Sequence, residues 1–154
     1  MKIFKIHTKQ HLPITIEEGW SFLSNPKNLS TITPDYMKFK ITDSDLKPVY
    51  QGQIIQYIVR PLMNIPLKWV TEITHVVHEK YFVDEQRFGP YSLWHHKHFI
   101  KEIENGIEME DVIHYKIPGG IFGEFLNSLF ISKQLNEIFK YRKNKLIEIF
   151  GEIS

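Results

Sequence analysis

The chain has 154 residues, enough to bury one sizeable core with little room for a second, so a single domain over 1–154 is expected. Lysine and arginine number 19 against 18 aspartate and glutamate, which leaves no global positive field and argues against nucleic acid as a partner. Cysteine is absent, excluding disulfides and thiolate chemistry; no apolar run approaches the roughly 18 residues that cross a bilayer, and the opening MKIFKIHTKQ lacks a signal-peptide stretch, so the expectation is a cytoplasmic protein without stable membrane insertion.

Ile3 to Leu12 reads as a first strand, interrupted by Pro13. Thr15 with Glu18 three residues later makes a capping box, and a short helix follows over Ile16 to Ser24. Asn25-Pro26 ends it, and a second short helix or turn occupies Lys27 to Thr33, before Pro34. From Met37 the pattern changes to period two: Met37, Phe39 and Ile41 alternate with Lys38, Lys40 and Thr42, as a half-buried strand requires. Further strands are expected over Gly52–Arg60, Leu67–Val77, Tyr81–Phe88, Tyr91–Ile103 and Ile107–Ile117. They are divided by a turn over Pro61–Pro66, by Gly89-Pro90 and by the hairpin dipeptide Asn105-Gly106.

After Pro118-Gly119-Gly120 the period becomes helical. Phe122, Phe125, Leu126 and Leu129 share one stripe, while Leu135, Ile138, Phe139, Leu146 and Ile149 share another. The stripes do not register across Ser132 to Gln134, so one helix of about 28 residues is expected, bent there. The order is strand, short helices, a meander of strands, long helix. A curved antiparallel sheet of about seven strands gripping the terminal helix, an α+β arrangement, is one of few compact solutions, because the helix is the only large cover for the sheet's apolar face.

Alternation assigns Met109, Asp111, Ile113, Tyr115 and Ile117 to the inner face of the last strand, and Trp94, His96, His98 and Ile100 to that of the strand before it, where Lys97 marks the solvated side. Phe82, Asp84, Gln86 and Phe88 share a face, as do Trp69, Thr71 and Ile73. Asp111 is then a carboxylate among apolar residues that needs a partner or a raised pKa, and the two histidines lie next door.

These residues carry a family pattern: Trp69-x-Thr71-x-Ile73, then Phe82-x-Asp84-x-Gln86-x-x-Gly89-Pro90-Tyr91-x-x-Trp94-x-His96-x-His98, then Asp111-x-Ile113-x-Tyr115-x-Ile117-Pro118. Over most of its length the chain resembles the SRPBCC family (START-like, Bet v 1-like), in the bacterial group described as polyketide cyclase/dehydrase-like or cell-division-inhibitor-like, found alone or attached to a nucleotide-sugar-epimerase-like domain. The resemblance implies the helix-grip fold and a ligand-binding role, and an epimerase-like protein as a partner; it does not specify the substrate. Ile100 stands where such sequences often have phenylalanine, a packing-compatible change.

Three functional readings compete. In the first, a small apolar molecule, lipid-like, polyketide-like or aromatic, binds between sheet and helix. Its contacts are Tyr57, Trp69, Thr71, Asp84, Gln86, Trp94, His96, His98, Asp111 and Tyr115, with Phe122, Phe125, Leu126 and Leu129 on the helix. In the second, His96, His98 and Asp111 move protons on a bound ligand as acid and base, in a cyclase, dehydratase or hydrolase. In the third, a packed, ligand-free interaction domain works through an epimerase-like partner or through the basic side of the helix, Lys133, Lys140, Arg142, Lys143 and Lys145. Binding is favoured, since no decisive catalytic motif is present. Core packing competes with each aromatic contact, and a hydrogen-bonded structural cluster with the histidine pair. No cofactor is implied, and no metal is expected, because neither HExxH spacing nor a third inward histidine accompanies the pair.

Overall fold

The computed structural model describes residues 2–43, 46–61 and 63–153, apart from the side chain of Ser128. Seven strands form one antiparallel sheet: β1 (Phe4–Leu12), β2 (Lys40–Ile41), β3 (Ile54–Val59), β4 (Leu67–Val77), β5 (Tyr81–Phe88), β6 (Leu93–Ile103) and β7 (Gly106–Lys116). Their spatial order is β1-β7-β6-β5-β4-β3-β2, so every neighbour except β1 beside β7 is joined by a direct connection. Apolar–polar alternation produces these strands, most fully in β7, where every second residue from Ile107 to Tyr115 is buried. The β4–β5 ladder slips register at Val70/Thr71 and again at Ile73/His75. Such irregularities bend and twist a strand, and here they curve the sheet toward the terminal helix.

Two local expectations are corrected. Met37 and Phe39 do not join a strand with Ile41: Asp35–Met37 is a 3-10 turn, Lys38 takes a left-handed φ of 44°, and only Lys40 and Ile41 pair with β3. The alternation there reflects burial of Met37 beneath the turn. At the β6–β7 hairpin Ile103 pairs with Gly106, so the turn is Glu104-Asn105 and the positive φ, 148°, falls on the glycine. A Cβ on Gly106 would lie 2.0 Å from the Leu12 carbonyl oxygen, so only glycine fits. Position 62 of the Pro61–Pro66 turn lies outside the described residues.

The first helix, α1 (Ile16–Leu23), carries the expected capping box: the Thr15 hydroxyl accepts from the Glu18 amide at 3.2 Å while the Glu18 carboxylate accepts from the Thr15 amide at 2.9 Å. A 3-10 turn, Pro26–Leu29, follows. The C-terminal helical run is α2 (Gly120–Leu126), a π-helical turn over Asn127–Ile131, and α3 (Ser132–Phe150). The π turn inserts extra residues into the winding, which is why the two apolar stripes fall out of register. It also overturns the first stripe. Gly123 and Asn127 face inward, the latter accepting a hydrogen bond from the Tyr115 hydroxyl at 2.9 Å, while Phe122 and Leu129 are 79% and 48% exposed.

Two apolar clusters make the core. One gathers Leu12, Trp20, Phe82, Ile100, Met109 and Leu146; the other gathers Ile6, Trp69, Trp94, Ile113, Leu135 and Phe139. The same break recurs along three elements, with polar residues between the clusters: His96 and His98 between Trp94 and Ile100, Asp111 between Met109 and Ile113, Arg142 between Phe139 and Leu146. A polar belt thus crosses the interior at one level.

Candidate functional site

Strand register sets the belt. Asp84 on β5 lies opposite His96 on β6, and His98 lies opposite Asp111 on β7, so two carboxylates flank two imidazoles whose rings are 3.6 Å apart. His96 Nε2 is 2.9 Å from Asp111 Oδ1, and its Nδ1 is 3.5 Å from Asp84 Oδ2. His98 Nε2 is 2.5 Å from Asp84 Oδ2; its Nδ1 lies 3.1 Å from Asp111 Oδ1, off the line a hydrogen bond needs. The terminal helix supplies Arg142, whose Nη2 is 3.4 Å from Asp111 Oδ1 and whose guanidinium lies 5.9 Å from the centre of the Phe139 ring.

Burial opposes charge on every member, and partners decide the outcome. For Asp111 the Arg142 charge and the histidine hydrogen bonds outweigh burial and hold the carboxyl well below its usual range. Asp84 is lowered likewise, its burial outweighed by His96, His98 and Arg142. Burial, reinforced by neighbouring His98, lowers His96 to about 4. His98 is raised, because its two carboxylate partners outweigh its burial. Two carboxylates held in the anionic form therefore face Arg142 and His98, beside a His96 whose burial disfavours its charged form.

The belt forms one wall of a cavity of about 210 Å³ between sheet and helix. Asp84, His96, His98 and Arg142 supply its polar wall; Tyr57, Trp69, Thr71, Trp94, Phe82 and Ile55 line the sheet side; Leu135, Ile138 and Phe139 line the helix side. Leu29 and Ile32, with Met37 and Phe39, complete it from the segment after α1. Trp69 stacks on Tyr57 at 5.7 Å and meets Trp94 edge-on at 5.2 Å, which fixes the aromatic wall. Three buried side-chain nitrogens among the described residues lack a hydrogen-bond partner, Trp69 Nε1, His98 Nδ1 and Arg142 Nε, and all three side chains line this cavity.

Several expected contacts lie elsewhere. Asp111 stands behind the histidines rather than on the wall; Gln86 holds the Gly89-Pro90 turn through the Tyr91 backbone, and Tyr115 is buried against Phe4 and Asn127. Phe122, Phe125, Leu126 and Leu129 are exposed on the helix and do not line the cavity, for the π-turn reason above. Phe88, assigned to the face of Asp84, is 72% exposed where β5 runs out toward Gly89.

No family model and no curated protein matches the chain. Solved structures do. The protein TTHA0849 from Thermus thermophilus superposes with a TM-score of 0.67 at 14% identity, over 95% of this chain and 99% of that one. Protein CV1439 from Chromobacterium violaceum gives 0.73 at 10% identity, over 97% and 99%. Ara h 8.0201 gives 0.62 at 8% identity, over 96% and 99%. The chain has the helix-grip fold. At these identities the likeness carries the fold alone.

Within the helix-grip fold the decisive residue that periodicity misplaces is Arg142. Its lysine neighbours group it with a solvated basic face, yet it is 8% exposed and reaches Asp111. The signal was its spacing: Leu135, Phe139, Arg142 and Leu146 follow one another by four, three and four, the buried stripe of a helix that grips a sheet.

Proposed function

We propose that this chain binds a compact, largely apolar small molecule carrying a hydrogen-bond acceptor, held between the curved sheet and the terminal helix. The observation that carries this reading is the partly polar wall: an apolar cavity of about 210 Å³ against which two buried donors, Trp69 Nε1 and Arg142 Nε, have no acceptor. A buried donor left unpaired costs about 1–3 kcal/mol, so an acceptor brought by a ligand is favoured there. The volume suits roughly eight non-hydrogen atoms, since an engineered apolar cavity of about 150 Å³ takes benzene, with six. Trp69, Tyr57 and Trp94 supply the stacking surface, and Thr71 with its hydroxyl 3.1 Å from that of Tyr57 adds a small polar contact. The family resemblance makes phenols of polyketide type, short fatty acids and isoprenoids the classes to try.

The test is denaturing extraction of the purified protein followed by mass spectrometry, together with melting curves against those three classes. A ligand at 100 times its Kd stabilises by about 2.7 kcal/mol, a shift of several degrees. Ile138→Trp, which fills the cavity from the helix side, should abolish the shift while leaving the unliganded protein folded. A clean extract combined with no shift across the panel overturns the reading.

A further inference from the structure

Asp84, His96 and His98 present one ligand atom each within 4.8 Å of one another, all three residues line the cavity, and their arrangement is poorly explained by hydrogen bonding alone. His96 Nε2 is held by Asp111 Oδ1 at 2.9 Å, which leaves its Nδ1 facing Asp84 Oδ2 at 3.5 Å, the limit of a hydrogen bond. A cation placed among Asp84 Oδ2, His96 Nδ1 and His98 Nε2 draws on the imidazole nitrogens that Asp111 does not hold.

We propose that Asp84, His96 and His98 form a divalent-metal site of two imidazoles and one carboxylate on the cavity wall, with Asp111 behind them orienting the His96 ring. An ion with bonds of about 2.1 Å in tetrahedral geometry separates its ligands by roughly 3.4 Å. The present contacts of 2.5 and 3.5 Å to Asp84 Oδ2 bracket that value, so small side-chain rotations suffice. Asp111, 2.9 Å from His96 Nε2, occupies the position of the carboxylate that orients a metal-bound histidine. Arg142 offsets the charge of Asp111 and leaves Asp84 as the anionic ligand. Two nitrogens and one oxygen, with no sulfur, select a borderline first-row ion such as zinc or iron(II) over magnesium or calcium, which take all-oxygen shells. Three protein ligands leave coordination positions for the acceptor atom of a bound molecule.

The full chain, stripped with a chelator, is titrated with zinc by calorimetry and with cobalt(II) by visible absorption, no organic ligand being present. The expected result is one ion per chain. Affinity should fall about 100-fold or more in Asp84→Asn and in His98→Gln, and about 10–100-fold in Asp111→Asn. It should be unchanged in His11→Ala, which removes a surface histidine 3.0 Å from Glu108. Paramagnetic shifts of histidine ring protons in the unmutated cobalt protein locate the ion independently, should a variant fail to fold. Absence of saturation at millimolar zinc overturns the proposal, as does binding lost in His11→Ala and kept in Asp84→Asn. Because the metal is titrated alone, a negative result leaves the small-molecule reading standing, and that reading is tested on the metal-free protein.

Discussion

At the residue scale, the interior is organised by how five ionisable side chains share charge. Removing one member of a buried ion pair leaves its partner uncompensated, at a cost of about 3–5 kcal/mol. Arg142→Ala should therefore lower the unfolding free energy by about that amount in denaturant titration, although its helix neighbours suggest a solvated lysine-like residue. Lys140→Ala, on the same helix and exposed, should change stability by less than about 0.5 kcal/mol. Equal effects for the two would show that Arg142 is no counter-ion. Asp111 was legible from its place on an apolar face, because period-two alternation leaves no ambiguity about side. Its cationic partner was harder to read: helix spacing puts Arg142 on the buried stripe, but does not say which strand residue, far back along the chain, it meets.

At the element scale, the sheet depends on two local devices. The β6–β7 hairpin needs a residue without Cβ at Gly106, so Gly106→Ala should lower the melting temperature by several degrees, corresponding to about 1–3 kcal/mol; a silent substitution would contradict the close approach to Leu12. On the outer face, β1 and β7 are tied by ion pairs centred on Glu108. Its carboxylate meets His11 at 3.0 Å, Lys101 at 2.9 Å and Lys9 at 3.2 Å, and the His11 contact, followed by the two lysines, lowers its pKa to about 2. The folded state thus binds this proton less readily than the unfolded chain, whose value is 4.5. The contribution is present above pH about 4.5 and is lost as pH falls toward about 2. Melting temperature should therefore drop more over that interval in the native protein than in Glu108→Gln, and the difference should shrink in high salt because the groups are exposed. Parallel curves would remove Glu108 from the acid response. The hairpin dipeptide and the strand alternation announced both β6 and β7; the π turn in the terminal helix was visible only as a phase error between two stripes.

At the scale of the whole molecule, the sheet and α3 enclose the cavity while α2 turns its apolar side outward. Phe122→Ser with Leu129→Ser should leave the melting temperature nearly unchanged and reduce self-association at high concentration, measured by light scattering; marked destabilisation would show that the stripe is packed after all. No helix among the described residues is long and apolar enough to cross a membrane. What the sequence determined by itself was the order of elements and the inward face of the long strands, because both follow from local periodicity and turn chemistry. That order left the helix as the only large cover for the sheet, which set the fold. What only the tertiary structure decided was which residues meet across that interface: Arg142 against Asp111, Asn127 against Tyr115, Asp84 beside both histidines. Those contacts depend on sheet curvature from two register slips and on helix phase from one π turn, and neither quantity is encoded in the periodicity of any single segment.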